Sequence, residues 1–235
     1  MSADPSTTDG HADADAADPS PIPADGTLAF FFAMPIEAKP LVRTLGLQRG
    51  PVGAGDGWIG WLGGRRVLAV VSGMGTELAG AAARRLLDAE AVAVVVVVGI
   101  SGGVDDTTPI GTVIHPEVVI DSATGVERRP LALGGPRAGG LWTTDVITPP
   151  AEVAALHRSG IVGLDMETAA VAAACEERGV AWTVVRSLSD GPADHVDDEV
   201  FAMSNQDGTP NPGRVLRYVV RHPGRIPALA RMGRG

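Results

Sequence analysis

The sequence has a single cysteine, no long apolar run and no signal-like N-terminus, and each of these absences excludes a class of protein. Cys175 alone cannot form an intramolecular disulfide or a cysteine-based zinc cluster, and it suits a reducing cytoplasm, where we expect the protein to be located. The longest apolar run, residues 91–98, is far shorter than the ~20 residues that a membrane-spanning helix needs. The N-terminus lacks the basic and apolar regions of a signal peptide. We therefore predict no membrane partner.

The distribution of charge argues against nucleic acid as a partner. The formal net charge is −9, but six aspartates lie in the first 26 residues, so the rest of the chain is close to neutral. Neither half of the chain contains the stripe of basic residues that binding to a phosphate backbone requires. A small-molecule substrate fits this charge distribution better.

Composition divides the chain into a tail and one domain. Residues 1–26 are rich in Asp, Ala, Pro, Ser and Thr with almost no large apolar side chain, which predicts a disordered acidic tail. Residues 27–235 are long enough and apolar enough for a single domain with one well-buried core.

Strand-like and helix-like segments alternate from Thr27 onward, which predicts an α/β fold. The predicted strands are 28–33, 66–71, 91–98, 113–120 and 182–187, and the predicted helices begin near Ile36 and span 77–89 and 166–178. Residues 91–98 are nearly all valine, which indicates a central strand covered by helices on both faces of the sheet. Glycine-rich or polar turns follow the strands, and open α/β sheets place their ligands at such turns.

Two of these turns resemble known motifs only in part. Gly73-Met74-Gly75 follows a strand as a dinucleotide fingerprint does, but Leu78 stands where the third glycine is expected, so we predict no NAD site. Residues 99–103 match the nucleophile elbow of esterases, with Ser101 as the nucleophile. Turn-forming residues 104–109 follow instead of a helix, so the alternative is that these glycines let the backbone approach a ligand or another strand.

An acidic group near the end of the last predicted strand is a weak candidate for a metal site. Such a group is more typical of a solvated loop or a helix start, and we predict no metal and no cofactor. Its members are Asp190, Asp194, His195, Asp197 and Asp198.

Four segments in the same order resemble the methylthioadenosine and adenosylhomocysteine nucleosidases and their phosphorylase relatives. They are Ala33-Met34-Pro35-Ile36-Glu37, Ser72-Gly73-Met74-Gly75, the glycine turn 99–103, and Asp165-Met166-Glu167-Thr168-Ala169-Ala170 with Val184-Val185-Arg186-Ser187-Leu188-Ser189-Asp190. The last pair is the most specific, because an acidic-Met-Glu helix start is followed about twenty residues later by a strand that ends in Arg-x-x-Ser-Asp. The resemblance implies a three-layer α/β/α fold with a central mixed sheet, cleavage of the N-glycosidic bond of a purine-type nucleoside, and a homo-oligomer.

The resemblance also assigns roles to individual residues. Asp190 is implied as the acid that protonates the leaving base, with Ser189 orienting it, and burial or a neighbouring carboxylate must then raise its pKa. Glu167 is implied to accept hydrogen bonds from the ribose hydroxyls and to offset the developing positive charge, while Met166 packs on the sugar. Taken alone, Asp190 also fits a helix N-cap and Met166 a core residue.

The attacking group decides between hydrolysis and phosphorolysis. The resemblance implies Glu37 as the base that activates water, with Ser72 and Arg186 around that water and the turn at Gly99 against the substrate. Val97 and Val98 precede this turn, where some phosphorylases of the family carry arginine, so hydrolysis is favoured.

Phosphorolysis stays open, because three arginines elsewhere in the chain are candidates for a phosphate site. They are Arg43, Arg65 and Arg66. Glu37 also fits a solvated glutamate that complements a helix dipole.

Two departures from the family pattern bear on the substrate. Ile147 stands where the methylthioadenosine enzymes present an aromatic residue to adenine, and the stretch between Asp121 and Leu141 is shorter than theirs. These features predict a more open site, and the truncated form also resembles the phosphorylases associated with hopanoid synthesis, which implies a bulky 5′ substituent. The arginine-rich segment 212–235 fits a solvated helix, an oligomer contact or a contact with an anionic membrane.

Two functions of other classes are the alternatives. One is a serine esterase at Ser101, and the other is a non-catalytic nucleoside-binding protein. The joint presence of Glu37, Glu167 and Asp190 argues against the second alternative.

Overall fold

The computed structural model describes residues 23, 25–134, 136–137 and 139–194. The predicted acidic tail lies outside the described residues except for Pro23, Asp25 and Gly26, and so do the arginine-rich segment 212–235 and the acidic group beyond Asp194.

Eleven strands and four helices form within this part of the chain. The strands are β1 (Thr27–Phe32), β2 (Gln48–Val52), β3 (Gly55–Leu62), β4 (Arg65–Val71), β5 (Val92–Gly103), β6 (Val113–Ile114), β7 (Val118–Asp121), β8 (Glu127–Arg128), β9 (Gly140–Thr143), β10 (Ile161–Asp165) and β11 (Ala181–Asp190). The helices are α1 (Pro35–Thr44), α2 (Thr76–Ala89), α3 (Pro150–Arg158) and α4 (Thr168–Glu177).

The strands form one mixed sheet with β5 at its centre. The main order is β2-β3-β4-β1-β5-β10-β9-β7-β8, and β11 pairs with β5 and β6. Strands β1 and β11 run parallel to β5, whereas β10 pairs antiparallel with its last residues, Gly102 and Gly103. The predicted mixed α/β fold is confirmed.

Helices cover the two faces of the sheet and make three layers. On one face, α2 and α4 contact each other and the strands through a large apolar cluster. Four α2 residues in this cluster, Ala79, Ala82, Ala83 and Leu86, have the spacing of one helix face. On the other face, α1 contributes Ala38 to a second cluster with β1 and β4. Five of the six valines of β5 are buried between these layers, as predicted for a central strand.

The observed strands differ from the predicted strands in several places, and β8, β9 and β10 were not predicted. Strand β5 continues through the glycine turn to Gly103, because β10 and β11 supply hydrogen-bonding partners that offset the low strand propensity of glycine. The predicted strand 113–120 is two strands, since Pro116 between β6 and β7 has no N–H to donate. Hairpin β2–β3 was not predicted, because frequent glycines obscure its alternation.

None of the helices described is long and apolar enough to cross a lipid bilayer.

Candidate active site

A cavity of about 280 Å³ opens where several strands end. Met34 follows β1, Met74 follows β4, and Ser101 and Asp190 lie at the ends of β5 and β11, and all four line the cavity. The site therefore occupies the C-terminal edge of the parallel strands, where the sequence places its polar and glycine-rich turns.

Asp190 is partly buried in the cavity wall at the last position of β11. Ser189 donates a hydrogen bond from Oγ to Asp190 Oδ1 and also contacts the backbone oxygen of Ser101, 3.2 Å away. Burial raises the pKa of Asp190, the Ser189 hydrogen bond opposes this shift, and the nearby charge of Asp194 adds to it. The net direction is upward, which favours a carboxyl group that keeps its proton.

Glu167 lies at the N-terminus of α4 and also lines the cavity. Its Oε1 accepts a hydrogen bond from the N–H of Gly75 at 3.1 Å, and its Oε2 accepts one from Arg186 Nη2 at 3.3 Å. Burial raises the pKa of Glu167 to about 7 against the opposing attraction of Arg186. This carboxyl group changes charge near neutral pH.

Glu37 lies in the first turn of α1 and joins that turn to β5. Its Oε2 accepts hydrogen bonds from the N–H groups of Ala33 (3.0 Å) and Met34 (2.8 Å), and its Oε1 accepts one from Ile100 (2.9 Å). The first two contacts satisfy the N–H group of the N-cap residue Met34 and that of the residue before it. The third directs the carboxylate toward the glycine-rich end of β5.

Arg186 lies behind the cavity wall and is only 1% exposed. Its Nη2 donates to Asp165 Oδ2, to Glu167 Oε2 and, at 2.9 Å, to Thr168 Oγ1, while Nη1 donates to the backbone oxygen of Ile100 at 3.2 Å. Arg186 is therefore an ion-paired residue beneath the carboxylates, and it does not itself line the cavity.

Asp165 is the main partner of Arg186, and sequence reasoning gave it no role. Its Oδ1 accepts a hydrogen bond from Thr143 Oγ1 at 2.6 Å, and its Oδ2 accepts from the N–H of Thr168 at 3.1 Å. The acidic first position of the Asp-Met-Glu segment is the only sequence signal for this role. Buried charges of this kind need such partners, because burial without them is costly.

Gly99 lies between Arg186 and Glu37. A Cβ atom at this position would overlap Arg186 Nη1 and would lie 2.5 Å from Glu37 Oε1. The absence of a side chain therefore allows the guanidinium and the carboxylate to approach the same point of β5.

The structure separates the other predicted substrate-binding residues into two groups. Met166, Ser189 and Ile147 line the cavity, and Ile147 is 45% exposed. Ser72 does not line it, and its Oγ lies within hydrogen-bonding distance of the backbone oxygens of Phe32 (3.2 Å) and Gly73 (2.7 Å).

The geometry at Ser101 does not support a nucleophile elbow. Ser101 lies within β5 and not in a turn from strand to helix. Its Oγ is buried, has no hydrogen-bond partner among the described residues, and faces Gly163 on β10, where an added Cβ would be 2.9 Å away. A serine nucleophile needs an adjacent base, and none contacts this hydroxyl in the part of the chain described.

Sequence reasoning also missed a contact between the segment after β9 and the start of α2. Asp145 Oδ1 accepts a hydrogen bond from the N–H of Thr76 at 2.8 Å, and Thr76 Oγ1 donates to Oδ2 of the same carboxylate. No sequence signal connects these residues, because 69 positions separate them.

Comparisons with known proteins were made for the sequence and for the fold. The family model of the phosphorylase superfamily matches residues 27–138 and 131–221. No curated protein sequence matches the chain.

Solved structures with the same fold include several nucleosidases. The 5′-methylthioadenosine nucleosidase of Arabidopsis thaliana is 20% identical, with 86% of this chain and 97% of that chain covered and a TM-score of 0.65. The 5′-methylthioadenosine/S-adenosyl homocysteine nucleosidase of Campylobacter jejuni is 16% identical, with 75% and 91% covered and a TM-score of 0.62. The futalosine hydrolase of Helicobacter pylori is 17% identical, with 71% and 88% covered and a TM-score of 0.60.

Proposed function

This chain belongs to the phosphorylase superfamily, and from that membership and the carboxylates of the cavity we propose that it hydrolyses the N-glycosidic bond of a purine-type nucleoside. The observation that carries the proposal is the convergence of Asp190, Glu167 and Glu37 on one cavity of about 280 Å³. A nucleosidase needs an acid for the base, an acceptor for the ribose and a base for water. These three carboxyl groups have the environments that suit those roles.

The proposed acid is Asp190. Departure of a purine requires protonation of a ring nitrogen, and the raised pKa of Asp190 favours a carboxyl group that holds this proton. The Ser189 hydroxyl orients the carboxyl group by its hydrogen bond to Oδ1. As the proton is transferred, the bond from the sugar C1′ to the base breaks and its electron pair stays with the base.

Glu167 and Met166 are the proposed ribose-binding residues. Both oxygens of Glu167 are held from behind by Gly75 and Arg186, so the carboxylate has a fixed orientation. Its negative charge stabilises the oxocarbenium-like sugar, which carries positive charge in the transition state.

Glu37 is the proposed base. Three backbone N–H groups hold its carboxylate. A water molecule beside it bonds through oxygen to C1′ and transfers a proton to Glu37, so the products are the free base and the sugar with a hydroxyl group at C1′. Solvent exchange then removes the added proton from Glu37 and returns a proton to Asp190.

The charge of the cavity supports water over phosphate as the attacking group. No Lys, Arg or His side chain lines it among the described residues, whereas five acidic residues do. The N–H groups of Gly75 and Thr76 at the positive end of α2, an arrangement that binds phosphate in other proteins, are taken by the carboxylates of Glu167 and Asp145.

The arginines that kept phosphorolysis open have other surroundings. Arg66 pairs with Glu90, Arg65 donates to the backbone oxygen of Gly26, and neither they nor Arg43 line the cavity. Phosphorolysis is the second candidate function.

We also propose that the protein is a homo-oligomer and acts in the cytoplasm. The oligomer is proposed from the family membership, and exposed large apolar side chains such as Ile36 (72% exposed) and Ile110 (61% exposed) are available for a subunit contact. The location rests on the single buried thiol, Cys175, and stays a prediction.

Release of free base from a panel of nucleosides tests the proposed function. The panel is methylthioadenosine, adenosylhomocysteine, adenosine and inosine, each assayed with and without phosphate. We expect release without phosphate, and we expect Asp190→Asn to reduce kcat by ~10²-fold or more, since a positioned acid contributes that much. Asp88→Asn is the matched control, because Asp88 pairs with Arg178 at the opposite end of α2.

Three results would redirect the proposal. Strict dependence on phosphate would identify a phosphorylase and leave Glu37 without its role. Full activity of Asp190→Asn would remove Asp190 as the acid. Nucleoside binding without release of base would favour the non-catalytic binding protein.

A further inference from the structure

We propose that Asp145 is a positioning residue that holds one wall of the cavity against α2 and thereby sets the affinity for the nucleoside. This inference rests on the proposed function, since it concerns the same cavity. The wall is the segment 144–148 between β9 and α3, and Thr144, Val146, Ile147 and Thr148 of this segment line the cavity.

Thr144, the first residue of the wall, is buried, and its N–H donates to the backbone oxygen of Asp165 at 2.9 Å. Beyond Thr144 the wall has little apolar burial to hold it in place. Val146 is 69% exposed and Ile147 is 45% exposed, although both are large aliphatic residues. Exposed side chains of this kind contribute little to the stability of a loop. Another interaction must fix the segment if it is to present a defined surface to a ligand.

Asp145 supplies that interaction. Thr76 donates to it from the backbone N–H (2.8 Å to Oδ1) and from Oγ1 (to Oδ2), so both carboxylate oxygens are used. Among the described residues, these are the only hydrogen bonds that join positions 145–148 to another element of the fold. The carboxylate also faces the positive end of a 14-residue helix, which strengthens both contacts.

The same helix start holds Glu167. The N–H of Gly75 donates to Glu167 Oε1 at 3.1 Å, and the next N–H, that of Thr76, donates to Asp145. Two adjacent backbone donors therefore fix the distance between the proposed ribose acceptor and the wall. The carboxylate of Glu167 and the wall are therefore already in position before a nucleoside binds. This preorganisation lowers the entropic cost of binding.

Loss of the Asp145 contacts is expected to weaken binding without removing a reacting group. Asp145 does not line the cavity, and its side chain contacts none of Asp190, Glu167 and Glu37. Asp145→Ala is expected to raise KM by ~10-fold, with kcat within ~2-fold of the wild type, because the removed interaction acts equally on bound substrate and transition state.

Steady-state kinetics of the full chain, with the best substrate of the panel, test this inference. Thr76→Val removes one of the two contacts from the other side and is expected to raise KM less than Asp145→Ala does. The double variant is expected to match Asp145→Ala, since both substitutions remove one shared interaction. Thr76→Ser keeps the hydroxyl and is expected to restore the wild-type KM.

Asp121→Ala is the matched control. Asp121 accepts hydrogen bonds from Thr124 Oγ1 (2.7 Å) and the N–H of Ala123 (3.0 Å) within its own turn, and it does not line the cavity. Its KM is expected to equal that of the wild type. Hydrogen exchange of residues 144–148 provides a second measurement, and we expect faster exchange in Asp145→Ala than in Asp121→Ala.

The inference is overturned by an unchanged KM in Asp145→Ala, by a loss confined to kcat, or by unchanged hydrogen exchange of the wall. Strictly additive effects of Asp145→Ala and Thr76→Val on KM would also contradict it. An inactive wild type is a different outcome, because it would refute the proposed function alone. Hydrogen exchange of the wall in Asp145→Ala and Asp121→Ala would still test the Asp145 contacts.

Discussion

At the scale of a single residue, the proposed role of Glu167 requires a negative charge, whereas its surroundings disfavour that charge. Its carboxylate must be negative to stabilise a positively charged sugar, yet it is buried beside Asp165 and near Glu37. Burial and these two charges raise its pKa, while Arg186 and the N–H of Gly75 lower it. The balance at about 7 makes the charge of this residue sensitive to physiological pH.

The activity is therefore expected to depend on pH through Glu167. Its pKa of about 7 means that the required carboxylate form is lost as the pH falls below that value. We expect kcat/KM to fall by ~10-fold for each pH unit below the transition, as for one essential ionised group. Asp190 must keep its proton, so activity is also expected to fall on the alkaline side of the profile.

The pH dependence of kcat/KM, measured from pH 5 to pH 9, checks this expectation. A rate that is constant between pH 5 and pH 7.5 would show that ionisation of Glu167 does not control the reaction.

At the scale of the element, β5 is the central strand of the sheet, and its C-terminal residues line the cavity. Its valine half is paired on both sides by β1 and β11, and its glycine half brings Ile100 to Glu37 and Arg186. At Gly99 and Ile100 the strand pairs with β11 on one edge, and the N–H of Ile100 is held by Glu37. The backbone therefore has little freedom to move away from an added atom.

Gly99→Ala is expected to damage the site more than the fold. The new Cβ would overlap Arg186 Nη1 and crowd Glu37 Oε1, so both side chains must move. We expect kcat/KM to fall by ~10²-fold or more and the free energy of unfolding to fall by about 1–3 kcal/mol. Enzyme assays and urea denaturation measure the two effects.

Gly55→Ala in β3 is the control for this substitution. Gly55 is a strand glycine with no atom within 4 Å of an added Cβ, so activity and stability are expected to stay close to wild type. Wild-type activity of Gly99→Ala would contradict the close approach of Glu37 and Arg186 at this strand.

At the scale of the whole molecule, one buried cation joins several elements beneath the site. Arg186 on β11 contacts Asp165 on β10, Glu167 and Thr168 at the start of α4, and the backbone of β5. Removal of the guanidinium leaves two buried carboxylates without their cation, and such a change is costly.

Arg186→Met is expected to destabilise the protein strongly. We expect a loss of about 3–5 kcal/mol in the free energy of unfolding, the usual cost of breaking a buried ion pair from one side. Arg178→Met, which removes the ion pair with the exposed Asp88, is expected to cost less than about 1 kcal/mol.

Urea denaturation of the two variants and the wild type makes this comparison directly. An equal loss in the free energy of unfolding for Arg186→Met and Arg178→Met would mean that the buried ion pairs of Arg186 do not stabilise the site more than an exposed pair does.

Much of the fold and of the site was predictable because its signals are local in sequence. The run of valines predicted the central strand. The predicted starts of helices α1, α2 and α4 lie within two residues of their observed starts. Six of the nine residues proposed for the site line the cavity: Glu37, Ile147, Met166, Glu167, Ser189 and Asp190. Each lies in or beside a turn at the end of a strand.

Contacts between distant segments were not predictable. The extension of β5 to Gly103 depends on partners near positions 163 and 190, and the burial of Arg186 depends on Asp165 and Glu167. The hydrogen bonds between Asp145 and Thr76 join residues 69 positions apart, and no pattern in either segment predicts them.

The sequence by itself therefore determined the α/β class, the central strand and the carboxyl groups that carry the proposed chemistry. Hydrophobic periodicity and short motifs encode these features, since each involves neighbouring residues. The tertiary structure alone decided which polar groups meet, which of them are buried and how far their pKa values shift. Those properties depend on distances between residues that the fold brings together from separate parts of the chain.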